Sequence, residues 1–188
     1  MSHNVSVHAS AVLVGARAVL IRGPSGAGKS RLAFELILAG RTGQLPPAIL
    51  VGDDRVHLDT AGEQLWVRPA RQLAGLIEIR GLGIRQCPFA AEAVVGLVVD
   101  LAADDAERLP TPEALRTRLN GVILPRIPVA DGFQPLPLVV AALTTTESSS
   151  SLNVAANCGK RIGNHITSTI ASDLVGAASP LYRQDQGD

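Results

Sequence analysis

An eight-residue stretch near the N-terminus constrains the fold of this chain more than any other feature. Residues 23–30 read Gly-Pro-Ser-Gly-Ala-Gly-Lys-Ser, which is the spacing G-x4-G-K-S. An apolar run over residues 18–21 precedes the stretch, and a helical apolar pattern over residues 30–39 follows it. A strand that leads through a glycine-rich turn into a helix is the setting of a phosphate-binding loop. The alternative is a glycine-rich turn that only caps a helix.

The residue types in this stretch each have a chemical reason to be there. Glycines allow backbone N–H groups to turn inward on phosphates. The Lys29 ammonium can reach the β and γ phosphates, and the Ser30 hydroxyl can ligate Mg2+. We therefore predict a nucleotide site formed by Gly23, Pro24, Ser25, Gly26, Ala27, Gly28, Lys29 and Ser30.

Composition limits the class of protein. A chain of 188 residues is long enough for one ordinary domain with a sizeable core. Apolar residues make up 46%, but only one Trp, one Tyr and three Phe are present, so the core must be aliphatic. An aliphatic core suits helices packed on a sheet. Basic and acidic residues balance at 17 each, which argues against a nucleic acid or an anionic membrane as partner.

Cysteine usage and hydropathy indicate the compartment. Cys87 and Cys158 show neither a paired spacing nor a metal-binding pattern, so we expect unpaired thiols in a reducing compartment. Apolar runs stay shorter than a membrane span. Residues 1–5 lack the basic segment and apolar stretch of a secretory signal. The sequence therefore predicts a cytoplasmic protein with no membrane partner.

The remaining pattern predicts a compact α/β domain over residues 5–146 with a mixed central sheet. Predicted strands are 5–7, 11–14, 18–21, 49–51, 56–58, 65–67, 76–79, 94–101, 122–124 and 127–129. Predicted helices are 30–39, which ends at Gly40, then 112–119, with Thr111 as N-cap, and 136–146. Prolines place the last two strands at an edge or bend.

The C-terminal part has a different character. Residues 147–188 begin with a polyserine run and lack a strong periodic pattern, although a helix is compatible with residues 164–175. We expect a poorly patterned tail whose last ten residues are disordered.

Acidic residues follow two of the predicted strands. Asp53 and Asp54 come directly after the apolar strand 49–51, a position where carboxylates usually face Mg2+ beside nucleotide phosphates. Adjacent carboxylates on an extended backbone point to opposite sides, so one can orient the metal while the other takes the acceptor proton. Glu78 interrupts an apolar strand, which is costly unless it faces solvent, a cation or a metal. Ordinary turn or exposed strand residues are the alternatives.

Two basic residues are weaker candidates on local sequence alone. His8 directly follows the predicted strand 5–7, 15 residues before Gly23, and a lone histidine is more often structural than catalytic. The Arg108 guanidinium suits phosphoryl charge, although the neighbouring residues do not indicate whether it reaches the site. His3, His57 and His165 have no supporting partners and are interpreted as structural.

Four segments together resemble the catalytic domain of HPr kinase/phosphorylase, which phosphorylates and dephosphorylates a serine on the phosphocarrier HPr. They are residues 8–14 (HASAVLV), 23–30, 51–56 (VGDDRV) and 77–84 (IEIRGLGI). The resemblance implies that His8 is an active-site histidine, that Lys29 contacts the transferred phosphate, and that Ser30 and Glu78 ligate Mg2+. It also implies that Asp53 or Asp54 accepts the serine proton, and it places Arg108 near the catalytic arginine. We favour Asp54 as the base and assign Asp53 to the metal.

The resemblance implies a cytoplasmic, ATP- and Mg2+-dependent serine kinase of HPr that regulates carbohydrate metabolism and assembles as a homo-oligomer, a hexamer in the family. The chain resembles the short form of some proteobacteria, because its first motif begins at His8. Residues 127–132 depart from the family segment that serves the reverse, phosphorylase reaction. A P-loop kinase of a small molecule and an ATP-binding regulatory module without turnover remain as alternatives.

Overall fold

The computed structural model describes residues 6–146, which form one mixed sheet with helices, plus a separate hairpin. The helices are α1 (Lys29–Arg41) and α2 (Pro135–Thr144), with a short 3-10 turn at Arg71–Leu73. The strands are β1 (Ser6–Val7), β2 (Ser10–Val14), β3 (Arg17–Arg22), β4 (Ala48–Gly52), β5 (Val56–Ala61), β6 (Gln64–Pro69), β7 (Leu76–Ile79), β8 (Gly83–Gln86), β9 (Ala93–Leu101), β10 (Arg116–Leu119) and β11 (Val122–Val129).

The strand order brings several strand ends to one edge of the sheet. The main path runs β1-β5-β6-β9-β3-β2-β4, and β11 adds to β9. β3, β9 and β11 are mutually parallel, and β4 shares their direction because β2 is antiparallel to both β3 and β4. The carboxyl ends of β3, β4, β9 and β11 therefore meet at one edge, together with the start of β2. The mixed central sheet of an α/β fold is confirmed.

Both faces of the central sheet are buried, which explains the continuous apolar run of β3. Val19 and Ile21 face α1, whereas Ala18 and Leu20 face the layer that includes β5 and β6. On α1, Leu32 and Leu36 are fully buried against the first face. Each such side chain contributes about 1.5–3 kcal/mol by leaving water, so α1 is fixed to the sheet mainly through these residues.

α1 ends later than the sequence predicts. Gly40 lies inside the helix, where a Cβ would come within 2.7 Å of the Cβ of Ala48, so its role is close packing against β4. Gly43, with φ 75°, is the residue that turns the chain.

The predicted helix at residues 112–119 is wrong. Thr111 does act as a cap, since its Oγ1 accepts a hydrogen bond from the Ala114 N–H at 3.4 Å, but only one turn forms. The chain then becomes strand β10, which pairs with β11 through a turn at Asn120 (φ 46°) and Gly121 (φ 85°). Two consecutive positive φ angles suit a tight hairpin, and Asn-Gly is the usual sequence for it. The hairpin therefore overrides the local helix-start pattern.

The two short strands predicted around the prolines form one strand, β11. Its first half pairs with β10 and its second half with β9, so each half has a paired neighbour on one side within residues 6–146. Pro125 and Pro128, which lack an N–H donor, are compatible with such half-open positions. The edge character was predicted, whereas the interruption was not observed.

The helix proposed for residues 164–175 and the tail lie outside the described residues. Within residues 6–146, no helix is both long and apolar enough to cross a membrane.

Candidate active site

The loop of residues 23–30 connects β3 to α1 and has the backbone of a phosphate cradle. Gly23, Gly26 and Gly28 have φ angles of 145°, 81° and 94°. Residues other than glycine rarely adopt this region. Gly28 is the N-cap, no side chain caps the helix, and the first turn carries no acidic residue. The N–H groups of that turn are therefore not claimed by a capping side chain, and the helix dipole favours an anion there.

The Lys29 side chain lies against this loop. Its Nζ donates hydrogen bonds to the carbonyl oxygens of Gly23 at 3.1 Å and Pro24 at 2.9 Å, and the residue is 6% exposed. Burial lowers the pKa of Lys29 below its ordinary value, and the nearby charges of Asp53 and Asp54 oppose that shift. The ammonium is thus poorly solvated and close to two carboxylates.

Gly23→Ala should damage both folding and nucleotide binding. A Cβ at Gly23 would lie 2.9 Å from the Leu101 carbonyl oxygen, in addition to the strain of φ 145°. We expect the free energy of unfolding to fall by about 2–3 kcal/mol, from overpacking and backbone strain together. Gly26→Ala is the matched control, because nothing lies within 4 Å of its Cβ and only the strain of φ 81° remains. Urea denaturation of both variants measures the difference, and equal losses would contradict the steric argument.

Asp53, at the end of β4, is 3% exposed and joins three parts of the site. Its Oδ1 accepts a hydrogen bond from the buried Ser10 hydroxyl at 2.5 Å, and its Oδ2 accepts one from the Glu78 N–H at 3.1 Å. The first bond reaches the start of β2 and the second reaches β7. Asp53 therefore fixes the position of Glu78 relative to the phosphate-loop edge of the sheet.

Asp53→Ala should destabilise the domain, since it strands the Ser10 hydroxyl and the Glu78 N–H. The buried Ser10 hydroxyl left without an acceptor costs about 1–3 kcal/mol, whereas the part-buried Glu78 N–H can bond water, so a loss of about 2 kcal/mol is expected in urea denaturation. The double variant Ser10→Ala/Asp53→Ala should recover part of that loss, because removing both partners is nearly neutral. A double variant no more stable than Asp53→Ala would show that the Ser10 bond contributes little.

Asp54 differs from Asp53 in its backbone conformation and in its exposure. Its backbone is left-handed, with φ 64°, and its side chain is 63% exposed. A left-handed residue other than glycine is uncommon, although aspartate tolerates it better than most. The carboxylate Oδ1 lies 3.3 Å from Nε2 of His8, in the segment between β1 and β2. The structure thus brings the predicted His8 and Asp54 together as an accessible pair.

The predicted metal ligands are oxygen donors on separate elements. Glu78 points to solvent from β7, while its neighbours Ile77 and Ile79 pack on the core that holds α1. Ser30 is the second residue of α1. No cluster of three His, Cys, Asp or Glu side chains suited to a metal occurs within residues 6–146. Mg2+ usually takes only one or two carboxylates and completes its shell with phosphate and water oxygens, so Ser30, Asp53 and Glu78 fit that ion chemically.

Arg108 lies in the loop of residues 102–115, which follows β9. Its side chain is exposed and makes no hydrogen bond or ion pair within the described part of the chain. The loop starts at the same sheet edge as the phosphate loop, because β9 is parallel to β3 and pairs with it up to Arg22 and Asp100. The structure places Arg108 in a segment that begins beside the site, and within residues 6–146 it shows no hydrogen bond or ion pair from Arg108 to His8, Lys29 or Asp54.

A network of charged residues beside the site was missed in the sequence. The Arg22 guanidinium donates two hydrogen bonds of 2.6 Å to Asp100, and Arg126 Nε donates to the same carboxylate at 2.5 Å. Arg126 also contacts both carboxylate oxygens of Asp105, at 2.6 and 2.9 Å. Arg22 directly precedes Gly23. This position was the only sequence signal that a partner of Arg22 would lie near the phosphate loop.

The pKa shifts of Asp100 and Asp105 agree with the ion pairs of this network. Burial alone would raise the pKa of Asp100, but hydrogen bonds and charge from Arg22 and Arg126 outweigh it, so the pKa lies below 3.8. The hydrogen bond from Arg126 likewise lowers the pKa of Asp105. A carboxyl group with a lowered folded-state pKa contributes stability above its unfolded pKa and loses it as the pH falls through the folded value. The network therefore persists at neutral pH and fails only in acid.

Comparison with known proteins shows which family this chain belongs to. The family model "HPr Serine kinase C-terminal domain" matches residues 1–161. The chain belongs to this HPr serine kinase family. HPr kinase/phosphorylase of Exiguobacterium sp. is 34% identical over 165 residues, covering 80% of this chain and 51% of the relative. The enzyme of the same name from Streptococcus pneumoniae is 33% identical over 189 residues, covering 93% and 57%.

A solved structure of an HPr serine kinase family member is also similar. The Hpr(Ser) kinase/phosphatase from Coxiella burnetii matches with a TM-score of 0.58 and 26% identity, covering 72% of this chain and 91% of that one. The chain spans about half the length of the curated relatives it matches.

Proposed function

We propose that this domain transfers the γ-phosphoryl group of ATP, with Mg2+, to a serine hydroxyl of the phosphocarrier HPr. The observation that carries the proposal is the accessible Asp54–His8 pair next to the phosphate loop. Asp54 is close enough for its charge to act on Lys29, whose Nζ lies at the loop. A carboxylate, an ammonium and a helix N-terminus thus converge on one edge of the sheet. Membership of the HPr serine kinase family supports HPr as the acceptor.

The phosphate loop supplies the binding half of the reaction. Backbone N–H groups of residues 26–30 hold the phosphate oxygens, and Lys29 exchanges the Gly23 and Pro24 carbonyls for the β and γ phosphates. Ser30, Asp53 and Glu78 would hold Mg2+, which would neutralise phosphate charge. Most of the rate gain comes from position and charge neutralisation, since phosphoryl transfer needs little covalent help.

Asp54 supplies the proton acceptor. As the serine oxygen bonds to the γ-phosphorus, the bond from that phosphorus to the β–γ bridging oxygen breaks and ADP leaves. The hydroxyl proton passes to the Asp54 carboxylate, which His8 keeps oriented. Arg108, held in the loop that starts beside the site, stabilises the equatorial charge. The same carboxylate can return a proton to the serine oxygen in the reverse direction.

We also propose that the domain works in the cytoplasm and as a homo-oligomer. Several large apolar side chains are exposed, including Leu82, Ile84 and Phe133 at 63%, 68% and 71%. Exposed apolar side chains are typical of surfaces that bind another protein. Light scattering on the full chain during gel filtration measures the assembly, and a monomer at all concentrations would overturn this part.

The test of the function is phosphoryl transfer from labelled ATP to purified HPr with Mg2+. The control acceptor is the HPr variant in which the target serine is Ala. Label on the wild-type carrier alone supports the proposal. Label on neither carrier, with ATP still bound, overturns it in favour of a kinase for a small molecule or a nucleotide-binding regulator.

A further inference from the structure

The loop of residues 102–115 is long and irregular, yet it is fastened at both ends. It starts at Ala102, whose φ of 54° turns the chain sharply after β9. At the far end, the chain makes one turn at Thr111 and enters β10. A loop of this kind would ordinarily be among the least stable parts of a domain. Its fastening therefore requires an explanation.

Arg126, on β11, attaches the loop at both ends with one side chain, in addition to the backbone hydrogen bond of 2.9 Å from the Ala103 N–H to the Val129 carbonyl at its start. Its guanidinium holds Asp105 through two hydrogen bonds near the start of the loop, and Nη1 also donates to the Ala114 carbonyl at 3.0 Å near the end. Its backbone N–H donates to the Leu115 carbonyl at 2.9 Å. The segment between the two attachments carries Arg108. A rigid planar guanidinium thus closes the base of the loop that bears the candidate arginine.

The same guanidinium connects that loop base to the phosphate loop. Arg126 and Arg22 share the carboxylate of Asp100. Arg22 immediately precedes Gly23, and the carbonyl of Leu101, next to Asp100, packs directly against Gly23. Charges therefore alternate in a continuous line from the phosphate loop to Asp105, three residues before Arg108.

The exposures of these residues distinguish a positioning role from a stabilising one. The side chains of Arg126 and Asp100 are 13% and 14% exposed, but that of Asp105 is 54% exposed. Removal of the exposed Asp105 carboxylate would still leave Arg126 paired with Asp100, so no buried charge would lose its last partner. The Asp105 end of the network thus fixes geometry at little gain in overall stability.

We propose that Asp105 and Arg126 are positioning residues that hold the loop of residues 102–115 against the phosphate-loop edge, so that Arg108 is presented to the transferred phosphoryl group. This inference rests on the proposed function, in which Arg108 stabilises transition-state charge. It goes beyond that function by assigning the placement of Arg108 to residues on β11 and in the loop itself.

The experiment compares Asp105→Ala with the matched control Asp104→Ala in the full chain. Asp104 is adjacent, exposed and without a hydrogen bond or ion pair in the described residues. In Asp105→Ala, we expect faster trypsin cleavage after Arg108, identified by mass spectrometry, and a kcat lowered about tenfold with the KM for ATP within about twofold. Asp104→Ala should match wild type in all three. Asp105→Glu should restore most of kcat, because the charge is kept.

A second background separates positioning from a general structural effect. If Asp105 acts through Arg108, then Asp105→Ala should cause no further loss of kcat in an Arg108→Ala protein. A further loss of kcat in the Arg108→Ala protein, as large as that in wild type, would overturn the proposal. Faster cleavage of Asp105→Ala with an unchanged kcat would also overturn it. If wild type transfers nothing to HPr, the proposed function fails. The cleavage comparison still decides whether Asp105 fastens the loop, and equal cleavage of the two variants overturns that too.

Discussion

Lys29→Met is expected to lose about 100-fold or more of its phosphoryl-transfer rate while the domain still folds. Removing one preorganised charge from a transition state typically costs about 100- to 1000-fold. Two opposed effects act on stability. Methionine leaves the Gly23 and Pro24 carbonyls without the Nζ donor, but it also removes an ammonium that burial disfavours, as the lowered pKa of Lys29 indicates. Single-turnover kinetics and thermal unfolding measure the rate and the stability.

The pH dependence of stability gives an independent check on this variant. Between the lowered folded-state pKa of Lys29 and its unfolded value of 10.5, the unfolded chain binds more protons, so this residue makes stability rise with pH. Lys29→Met should remove that rise in the alkaline range. Arg31→Met, on the exposed side of α1, is the control and should transfer at the wild-type rate. Wild-type transfer by Lys29→Met would remove the lysine from the mechanism.

Asp54→Asn is expected to lower the transfer rate by about 100- to 10 000-fold with ATP affinity almost unchanged, the range for loss of a general base. Asparagine tolerates the left-handed backbone at φ 64° as well as aspartate does, so the local structure should remain. It keeps hydrogen-bonding capacity toward His8 but cannot accept the serine proton. Rapid-quench kinetics with HPr, together with ATP titration, separate chemistry from binding.

The comparison with Asp53→Asn assigns the two carboxylates. Asp53 is buried and holds Ser10 and Glu78, so its variant should unfold at a lower temperature, whereas Asp54→Asn should not. If Asp54→Asn retains full transfer while Asp53→Asn loses it without loss of stability, the base is Asp53 and the proposed roles are exchanged.

The sequence predicted the phosphate loop because that motif is contiguous. Eight neighbouring residues carry the chemistry, and the strand before them and the helix after them follow from local apolar patterns. The same holds for the core strand β9, whose long apolar run is buried on both faces. Local information was sufficient wherever the functional group and its support are close in the chain.

The division of labour between Asp53 and Asp54 could be predicted only in outline. The sequence predicted an extended backbone from which the two carboxylates point to opposite sides. In the structure β4 ends at Gly52 and Asp54 is left-handed, so that premise was wrong. Which carboxylate is buried depends on Ser10, 43 residues away, and on how β2 pairs with β4. Glu78 was expected to face solvent or a metal, and its solvent-facing position agrees with that expectation. Its link to Asp53 runs through the backbone, which no side-chain pattern reveals.

The charged network could not be predicted from the sequence either, because its partners are far apart in the chain. Arg22 and Asp100 are 78 residues apart, and Asp100 and Arg126 are 26 apart, so neither pair produces a local pattern. The β10–β11 hairpin, by contrast, could have been predicted. Asn120-Gly121 between alternating residues is a strong hairpin sequence, and it outweighs the helix-start pattern at Thr111.

The double attachment of the loop by Arg126 also makes the domain tolerant of insertions at one place. Asp105 and the Ala114 carbonyl are both held by the same guanidinium, so the chain between them is a loop whose two ends are fixed close together. Lengthening such a loop costs little, about 0.6 kcal/mol for each doubling of its length, and leaves the sheet undisturbed. An insertion between Leu109 and Pro110 lies outside the Thr111 turn, so we expect it to leave the sheet folded and to disturb only the placement of Arg108.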